Sequence, residues 1–358
     1  MSALDRDRLE QMLAGLARSG GTSLHVSAGN RPWIRLGGSA VATDDPPVDG
    51  EELRSLAGEL LFADQITRAE RGEEVEVVWS SANAGRFRVS ALSHADGLGL
   101  VFRLLPERAP SFEECELPEV LAAFTMMRSG LVLITGPFGS GKSTTMAGIV
   151  ARIETERAVN VVTIERRIDL VHGSGRTLIH QREVGTHVES VASAVRDAFL
   201  QGADAIAVGE IGSAADLLAV IEAAESGLLV LATFEASGIA GAIADLPRLC
   251  PPGERASIRD RLATVTSAVV GQTLIRRRHG RGRVPLLEIL FQNERVERAI
   301  RRGKVELLER IMDEGAGVGM QTVDLGIRRL LQRHAISEDE ALQHAAGRLL
   351  ERGTLRVD

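Results

Sequence analysis

Aromatic side chains are scarce in this chain of 358 residues: they make up 3% of it, and tyrosine does not occur. The core must therefore be packed mainly from Leu, Val, Ile and Ala. Cysteine is nearly missing as well, since Cys115 and Cys250 are the two copies and lie far apart in the sequence. Two such cysteines do not make a disulfide framework or a metal site, so we expect free thiols in a reducing compartment.

Long apolar runs and an excess of basic residues are also missing. No stretch approaches the roughly 20 apolar residues that cross a bilayer, and the polar start MSALDRDRLEQM is unlike a signal peptide. A net charge of −7 argues against a general nucleic-acid binder. The 44% hydrophobic and 25% charged residues are typical of a soluble globular protein, here long enough for two domains. We expect a cytoplasmic protein without a transmembrane segment.

The first hundred residues mix helical and strand patterns. Four apolar residues recur at helical spacing near the start, namely Leu9, Met12, Leu13 and Leu16. Residues 50–71 also have a helical pattern, whereas SLHVS, PWIRLG and then EVEVVWSS, GRFRVSALS and GLGLVFRLL read as strands, the last three as an antiparallel meander. We predict a small α/β N-terminal domain over residues 1–105. Residues 106–118 contain three prolines and no periodicity, which indicates a linker.

Beyond the linker, buried strands alternate with helices. GLVLIT, AVNVVTIE, TLIHQ, ADAIAVGE and GLLVLATF are apolar strand patterns, and residues 188–200 and 213–226 are helical stretches between some of them. This order predicts a mostly parallel sheet covered on both faces. From residue 251 onward the chain reads as mainly helical, interrupted by the strand pair QTLIRRR and VPLLEIL. We assign an α/β core domain to residues 119–290 and a helical C-terminal region to residues 291–358.

The stretch LITGPFGSGKSTTM matches the phosphate-loop pattern G-x-x-x-x-G-K-[ST], with a strand before it and a helix after it. Glycines let backbone N–H groups turn toward a phosphate, and the helix start adds partial positive charge. Lys142 would reach the β- and γ-phosphates of ATP, and the Ser143 hydroxyl would be a ligand of Mg²⁺. The predicted phosphate-binding residues are Gly136, Pro137, Gly139, Ser140, Gly141, Lys142, Ser143 and Thr144.

Two acidic residues close other apolar strands. Glu165 ends TIE and Glu210 ends AVGE, and ligands in such sheets lie at the carboxyl ends of strands. A single strand-end carboxylate often only caps the next helix. Two of them beside a phosphate loop favour roles in orienting water and in holding hydrated Mg²⁺. We therefore predict Glu165 and Glu210 as catalytic residues, with Glu210 and Ser143 at the metal.

A series of phrases in this order resembles PilT-type ATPases, the retraction motors of type IV pili within the secretion-ATPase superfamily. The phrases include SLHVSAG, GRFRVSALSHADGLGLVFRLLP, GLVLITGPFGSGKSTTM, VVTIE, QREV, VGE, AAESG, QTLI and GMQTVD. The resemblance implies a PAS-like N-terminal domain, a RecA-like motor domain, a hexameric ring and ATP bound between the two domains. It also implies that Glu165 activates the attacking water, that Glu210 is the Walker B glutamate, and that Arg88 and Arg103 approach the phosphates. The alternative for the two arginines is a solvated strand face.

Several positions depart from the family pattern. The acidic box T-I-E-D-P-I-E is TIERRID here, with Arg166 and Arg167 for Asp-Pro and Asp169 for the second Glu. Glu235 occupies the position of the histidine in the family's histidine box, Gly212 the position of the arginine that follows the Walker B glutamate, and Asp245 a further arginine position. The family's retraction-linked stretch is RVERAIRR here, 295–302, and keeps only Ile300 and Arg301. An acid near the phosphates and a missing arginine slow turnover, so we expect a weak ATPase.

The two substituted boxes also raise a structural hypothesis. Arg166 or Arg167 could pair with Glu235 across two strand ends, Arg166 could supply charge to the phosphate, or both arginines could point into solvent. The basic run RRRHGRGR, 276–283, is most simply a solvated hairpin turn, and neither it nor 295–302 is interleaved with aromatics. We therefore expect no direct nucleic-acid binding, and a basic rim that faces a neighbouring subunit or an acidic part of a membrane platform protein.

The resemblance implies a cytoplasmic motor, peripheral to the inner membrane, that powers pilus retraction and twitching motility. It would form a homohexamer, or a mixed ring with a related ATPase, and would act on an inner-membrane platform protein. The alternative is a regulatory paralogue that binds nucleotide and assembles with an active retraction ATPase. An export or assembly ATPase fits less well, because no cysteine-rich insert interrupts the motor region.

Overall fold

The computed structural model describes residues 5–37, 39–173, 175–280 and 282–345. They form two compact units, of which the first runs to Arg108 and includes Asp169–Val171. The second comprises Ala109–Ile168 and the chain from His172 onward. Each unit has a sheet and a hydrophobic core of its own.

The first unit is an antiparallel sheet with helices. Its strands are β1 Ser23–Ser27, β2 Trp33–Leu36, β3 Ser39–Ala42, β4 Val75–Ser81, β5 Gly85–His94 and β6 Gly97–Leu105, in the order β3-β2-β1-β6-β5-β4. Its helices are α1 Arg6–Arg18, α2 Gly50–Leu60 and α3 Ala63–Glu70. The predicted meander is confirmed, since β4, β5 and β6 pair antiparallel in turn. Strand alternation buries Phe87 and Val89 in the core and leaves Arg86 and Arg88 on the other face.

Two details of this unit differ from the sequence prediction. The helix expected over residues 50–71 is interrupted, because Leu61 is extended and a new helix starts behind Phe62. The Gln65 side-chain oxygen accepts a hydrogen bond from the Phe62 N–H at 2.9 Å. This bond caps the start of α3, so a second helix begins in the middle of the apolar pattern. Strand β3 was missed because all four of its residues are exposed, so its sequence shows no alternation of buried and exposed positions.

The second unit is built on a seven-stranded sheet in the order β13-β12-β7-β11-β10-β8-β9. The strands are β7 Gly130–Gly136, β8 Asn160–Glu165, β9 Leu178–Glu183, β10 Ala205–Val208, β11 Leu229–Glu235, β12 Thr266–Arg276 and β13 Arg283–Phe291. The pairs from β12 to β9 are parallel, and the edge strand β13 runs antiparallel to its neighbour. The predicted mostly parallel sheet is therefore confirmed.

Helices cover both faces of this sheet. They are α4 Ala123–Met126, α5 Lys142–Glu156, α6 Val191–Leu200, α7 Ala214–Glu225, α8 Gly238–Asp245, α9 Arg255–Val265, α10 Glu294–Arg301, α11 Leu308–Glu314, α12 Val323–Gln332 and α13 Glu338–His344. Short 3₁₀ turns lie at Glu119–Ala122, Leu246–Leu249, Val305–Leu307 and Ala316–Val318. Along β7, Leu131 and Leu133 enter the core beneath α6 and α7, whereas Val132 and Ile134 enter the core beneath α5. This two-sided burial explains the continuous apolar runs of the strands.

The segment 106–118 has no helix or strand, as expected of a linker, yet part of it packs firmly. Phe112 and Leu117 are buried in the second unit with Val132 of β7. The Arg152 guanidinium lies 4.7 Å from the centre of the Phe112 ring. The three prolines and the many charged residues of the segment leave no apolar periodicity from which the burial of these two residues could be predicted.

Both cysteines are free thiols, and no described helix is long and apolar enough to cross a membrane. Burial raises the pKa of the Cys115 thiol to about 11, with Glu114 and Glu113 adding to the effect. The basic run joins β12 to β13, and its described residues are mostly exposed, as predicted for a solvated hairpin turn. Two of its residues also make contacts, since Arg277 binds Glu116 and the Arg278 N–H donates to the Ala335 carbonyl at 2.8 Å.

Candidate nucleotide-binding and hydrolysis site

The predicted phosphate loop lies between β7 and α5. Gly139 and Gly141 have φ angles of 74° and 88°, a region that favours glycine. At Gly136 an added Cβ would stand 2.2 Å from the backbone oxygen of Gln272, so no larger residue fits there. No described side chain caps the start of α5, which leaves its first amides available to an anion.

Lys142, the first residue of α5, folds back over the loop. Its Nζ donates to the carbonyl oxygens of Gly136 at 2.8 Å and Pro137 at 2.9 Å. Partial burial lowers the pKa of Lys142, while the nearby carboxylates of Glu235 and Glu210 act in the opposite direction. The ammonium therefore already lies in the concavity that would hold phosphate oxygens. The hydroxyl-bearing Ser143 and Thr144 follow it on the first turn of α5, where both are exposed.

A glutamine that the sequence analysis did not single out braces the loop from the neighbouring strand. Gln272 on β12 is 4% exposed. Its Oε1 accepts the Thr145 hydroxyl at 2.6 Å, and its Nε2 donates to the Ser140 carbonyl at 2.8 Å. One side chain thus connects the loop and the first turn of α5 to the sheet. The available signal was a polar residue inside the apolar strand AVVGQTLI, since buried polar groups require partners.

Three carboxylates stand at the carboxyl edge of the sheet beside the loop. In the order of the strands, β7 is followed by β11, β10 and β8. Glu235 ends β11 directly opposite Gly136, Glu210 follows β10, and Glu165 ends β8. The sheet thus places Glu165 and Glu210 at neighbouring strand ends, and it adds Glu235 between Glu210 and the loop.

Hydrogen bonds hold the Glu165 carboxylate. Its Oε1 accepts from the Thr163 hydroxyl at 2.7 Å and from the Gln181 Nε2 at 3.2 Å. Gln181 is fixed in turn, because its Oε1 accepts the His172 N–H at 2.9 Å. Thr163 and Gln181 are directly opposite each other on β8 and β9. A carboxylate positioned in this way can accept a proton from a water molecule.

The hypothesis that Arg166 pairs with Glu235 is wrong. Arg166 lies against Glu210 instead, with 3.5 Å between Nε and Oε2. The strand order gives the reason: β8 neighbours β10, whereas β11 is one strand further away. Gly212 leaves room for this arrangement, because a Cβ there would stand 2.7 Å from the Arg166 Nη2.

Two further residues that depart from the family pattern, Asp245 and Asp169, form ion pairs with arginines. Asp245, at the end of α8, binds Arg248 with 2.5 Å between the paired atoms. In the first unit, Arg88 on β5 is directly opposite Arg103 on β6. Arg88 pairs with Asp169 and is largely buried, whereas Arg103 is exposed. Residues of the substituted acidic box therefore take part in ion pairs in both units.

We expect Arg166→Ala to raise the KM for ATP about two- to fivefold, with a smaller change in kcat. Glu210 and Glu235 place negative charge beside Lys142, and Arg166 offsets part of it. The pair is largely exposed, so an effect of about 1 kcal/mol or less is appropriate. Steady-state hydrolysis at varied ATP measures the shift.

A double-mutant cycle provides the control for this prediction. Gly212→Ala would crowd the guanidinium away from Glu210. It should therefore raise the KM in the natural protein but have little effect in the Arg166→Ala background. An unchanged or lower KM for Arg166→Ala would contradict this role of Arg166.

Comparison with known proteins gives the family of the chain. The family described as type II/IV secretion system protein matches residues 67–328. The chain belongs to that family. It is 32% identical to a type IV pilus retraction ATPase, PilT, of Pseudomonas aeruginosa, over 94% of this chain and 98% of that protein. It is 29% identical to the type IV pilus ATPase PilU of the same organism, over 94% of this chain and 88% of that protein.

A solved structure agrees as well. The crystal structure of the pilus retraction motor PilT with bound ADP matches with a TM-score of 0.86 and 26% identity, over 94% of this chain and 97% of that chain. The predicted fold, with a small N-terminal domain and a RecA-like ATPase domain, is confirmed. As a secretion ATPase homologous to PilT, the chain is a P-loop ATPase that binds nucleotide.

Proposed function

We propose that this secretion ATPase is a cytoplasmic motor of the PilT type that converts ATP hydrolysis into pilus retraction and hence twitching motility. The observation that carries the proposal is the Glu165 carboxylate, held by two hydrogen bonds on the same sheet edge as the phosphate loop. A protein that only holds nucleotide has no need of a fixed base there. Homology to a pilus retraction ATPase over 94% of the chain supports the proposal that the motor acts on a pilus.

The residues at the loop suit ATP with Mg²⁺. The uncapped start of α5 and the folded-back Lys142 suit phosphate oxygens, and the Ser143 hydroxyl with the Glu210 carboxylate offers the oxygen ligands that Mg²⁺ prefers. When bound, Mg²⁺ would neutralise charge on the phosphates. We assign Glu165 to orienting the attacking water, and Gly136, Pro137, Gly139, Ser140, Gly141 and Thr144 to holding the phosphates.

Arg88 and Arg103 are proposed to supply positive charge to the phosphates from the first unit, as the resemblance implies. The assembly would be a hexameric ring of this chain, or a mixed ring with a related ATPase, that acts on an inner-membrane platform protein. The ring would then be cytoplasmic and peripheral to the membrane. Turnover should be slow, because Glu235 stands next to the loop where the family has a histidine.

A regulatory role is the second candidate. The observation that favours it is the Arg166–Glu210 contact, since an arginine against the proposed metal-holding carboxylate competes with Mg²⁺ for that group. In this alternative the chain binds nucleotide without useful hydrolysis and modulates an active retraction ATPase. Both candidates share the nucleotide site and differ in turnover.

Phosphate release by the purified full-length protein separates the two. Lys142→Ala serves as the blank, because it removes the ammonium from the loop. Arg54→Ala, on an exposed helix of the first unit, serves as a control for the substitution itself. A motor should release phosphate measurably faster than the blank when Mg²⁺ is present. A rate equal to the blank, with nucleotide binding intact, would favour the regulator.

A further inference from the structure

A basic groove lies between α10 and α11, away from the phosphate loop in the sequence and unused by the proposed hydrolysis. It is an open depression with a volume of about 710 Å³. Arg295, Arg298 and Arg302 line one wall, and Lys304 and Arg310 continue the basic lining. We call this feature the basic groove.

The walls of the groove follow from helix geometry. Arg295, Arg298 and Arg302 recur at spacings of three and four residues, which places Arg295 and Arg298 along one face of α10 and Arg302 in line with them at its C-terminal cap. Arg295 and Arg310, from the two opposite helices, both bind the Glu314 carboxylate. These two guanidinium groups lower the pKa of Glu314 to about 2. The shared ion pair fixes the spacing of the walls at one end.

Apolar side chains form part of the lining. Ala299 and Ile311 are 3% and 5% exposed and lie at the base, whereas Leu307 is 46% exposed. The Arg298 Nε donates to the Glu294 carbonyl oxygen at 3.1 Å, and its carboxylate partner is distant, with 3.9 Å to a Glu294 side chain that is 94% exposed. Lys304 pairs with Glu306 at 3.6 Å, and both of these side chains are exposed. The groove thus combines loosely paired positive charge with an accessible apolar contact. That combination suits a ligand with both carboxylates and an apolar side chain.

The charge balance around the groove argues against a membrane surface as the occupant. Residues 294–314 contain six basic and six acidic side chains, so the segment as a whole is neutral. Beyond a screening length of about 8 Å, a flat anionic surface would meet no net attraction. Inside the groove, the five basic side chains have three carboxylate partners, Glu294, Glu306 and Glu314, which leaves an excess of two positive charges. Only an occupant that enters the groove meets this positive excess.

We propose that the basic groove binds an acidic peptide segment of a partner protein, a docking site separate from the nucleotide site. Carboxylates of the segment bind Arg298, Arg302 and Lys304, and an apolar side chain packs on Leu307. Helix α10 has eight residues and is therefore about 12 Å long, which matches two turns of a helical peptide. This inference does not depend on ATP hydrolysis.

Fluorescence anisotropy with a labelled synthetic peptide of Glu and Leu tests the proposal on the full-length protein. We expect saturable binding that weakens with salt, because the contacts are exposed charges. Arg298→Glu with Arg302→Glu should weaken it about tenfold or more. Arg54→Glu with Arg68→Glu makes the same charge change on exposed helices of the first unit and should alter binding less than about twofold.

The apolar contact and the choice of ligand are tested with one more variant and two more probes. Leu307→Ser should weaken peptide binding several-fold without changing its salt dependence, since it removes only an apolar contact. If the double variant does not fold by circular dichroism, Arg302→Gln with Lys304→Gln takes its place. Equal peptide binding by the natural protein and the groove variant would overturn the proposal. So would groove-dependent binding of phosphatidylglycerol vesicles or of tripolyphosphate without binding of the peptide.

Discussion

Glu165→Gln is expected to lower steady-state ATP hydrolysis by about 10²- to 10⁴-fold, the usual contribution of a general base. Glutamine keeps the size of the side chain and can still accept the Thr163 hydroxyl, but it cannot take a proton from water. Nucleotide affinity should stay within about twofold, because the phosphate loop is untouched. Phosphate release and titration with a fluorescent ADP analogue measure the two quantities separately.

The matched control is Glu189→Gln, the same change at an exposed position before α6. It should leave both quantities as they are in the natural protein. If Glu165→Gln hydrolyses ATP as fast as that control, then Glu165 is not the base. A loss of nucleotide affinity in Glu165→Gln would instead indicate a distorted site.

Gln272→Ala is expected to weaken nucleotide binding about tenfold or more, which corresponds to about 1.4 kcal/mol. The substitution leaves the buried Thr145 hydroxyl and the Ser140 carbonyl without their partner. Each unsatisfied buried group costs about 1–3 kcal/mol, so the free energy of unfolding should fall by about 2–6 kcal/mol. The loop would no longer be held to β12 in the shape that accepts phosphates.

The chain offers a close control in a second buried glutamine. Gln321 is also 4% exposed, and its Nε2 donates to the Leu287 carbonyl at 2.7 Å. Gln321→Ala should lower the free energy of unfolding but leave nucleotide affinity unchanged. Chemical denaturation and fluorescent-nucleotide titration of both variants decide the point. Equal nucleotide affinity in Gln272→Ala and the natural protein would show that the brace does not shape the site.

The sequence was sufficient for the parallel sheet and the phosphate loop because both have local signatures. Strands that are buried on two faces have continuous apolar sequences. The spacing of the glycines before Lys142 is characteristic of phosphate-binding loops. The position of Glu165 and Glu210 at one edge of the sheet could be predicted from a general rule, since parallel strands end on the same side of a sheet. The pairing of Arg166 needed the strand order, which no local pattern contains.

Other features depend on contacts between distant parts of the chain. Gln272 is 132 residues from Ser140, and they meet only because β12 pairs with β7. The break between α2 and α3 reflects a single side-chain cap at Gln65, which an apolar periodicity does not reveal. The basic groove likewise needs α10 and α11 to be side by side. Sequence patterns indicate basic side chains in 295–302 but not the concavity that they line.

The proposed motor function depends on where two acidic side chains point when a nucleotide is bound. A crystal structure of this protein with Mg²⁺ and a non-hydrolysable ATP analogue measures that directly. We predict that the carboxylates of Glu165 and Glu210 both face the γ-phosphate, each within reach of one bridging water molecule. A structure in which either carboxylate turns away from the phosphate would contradict the motor and leave a protein that only binds nucleotide.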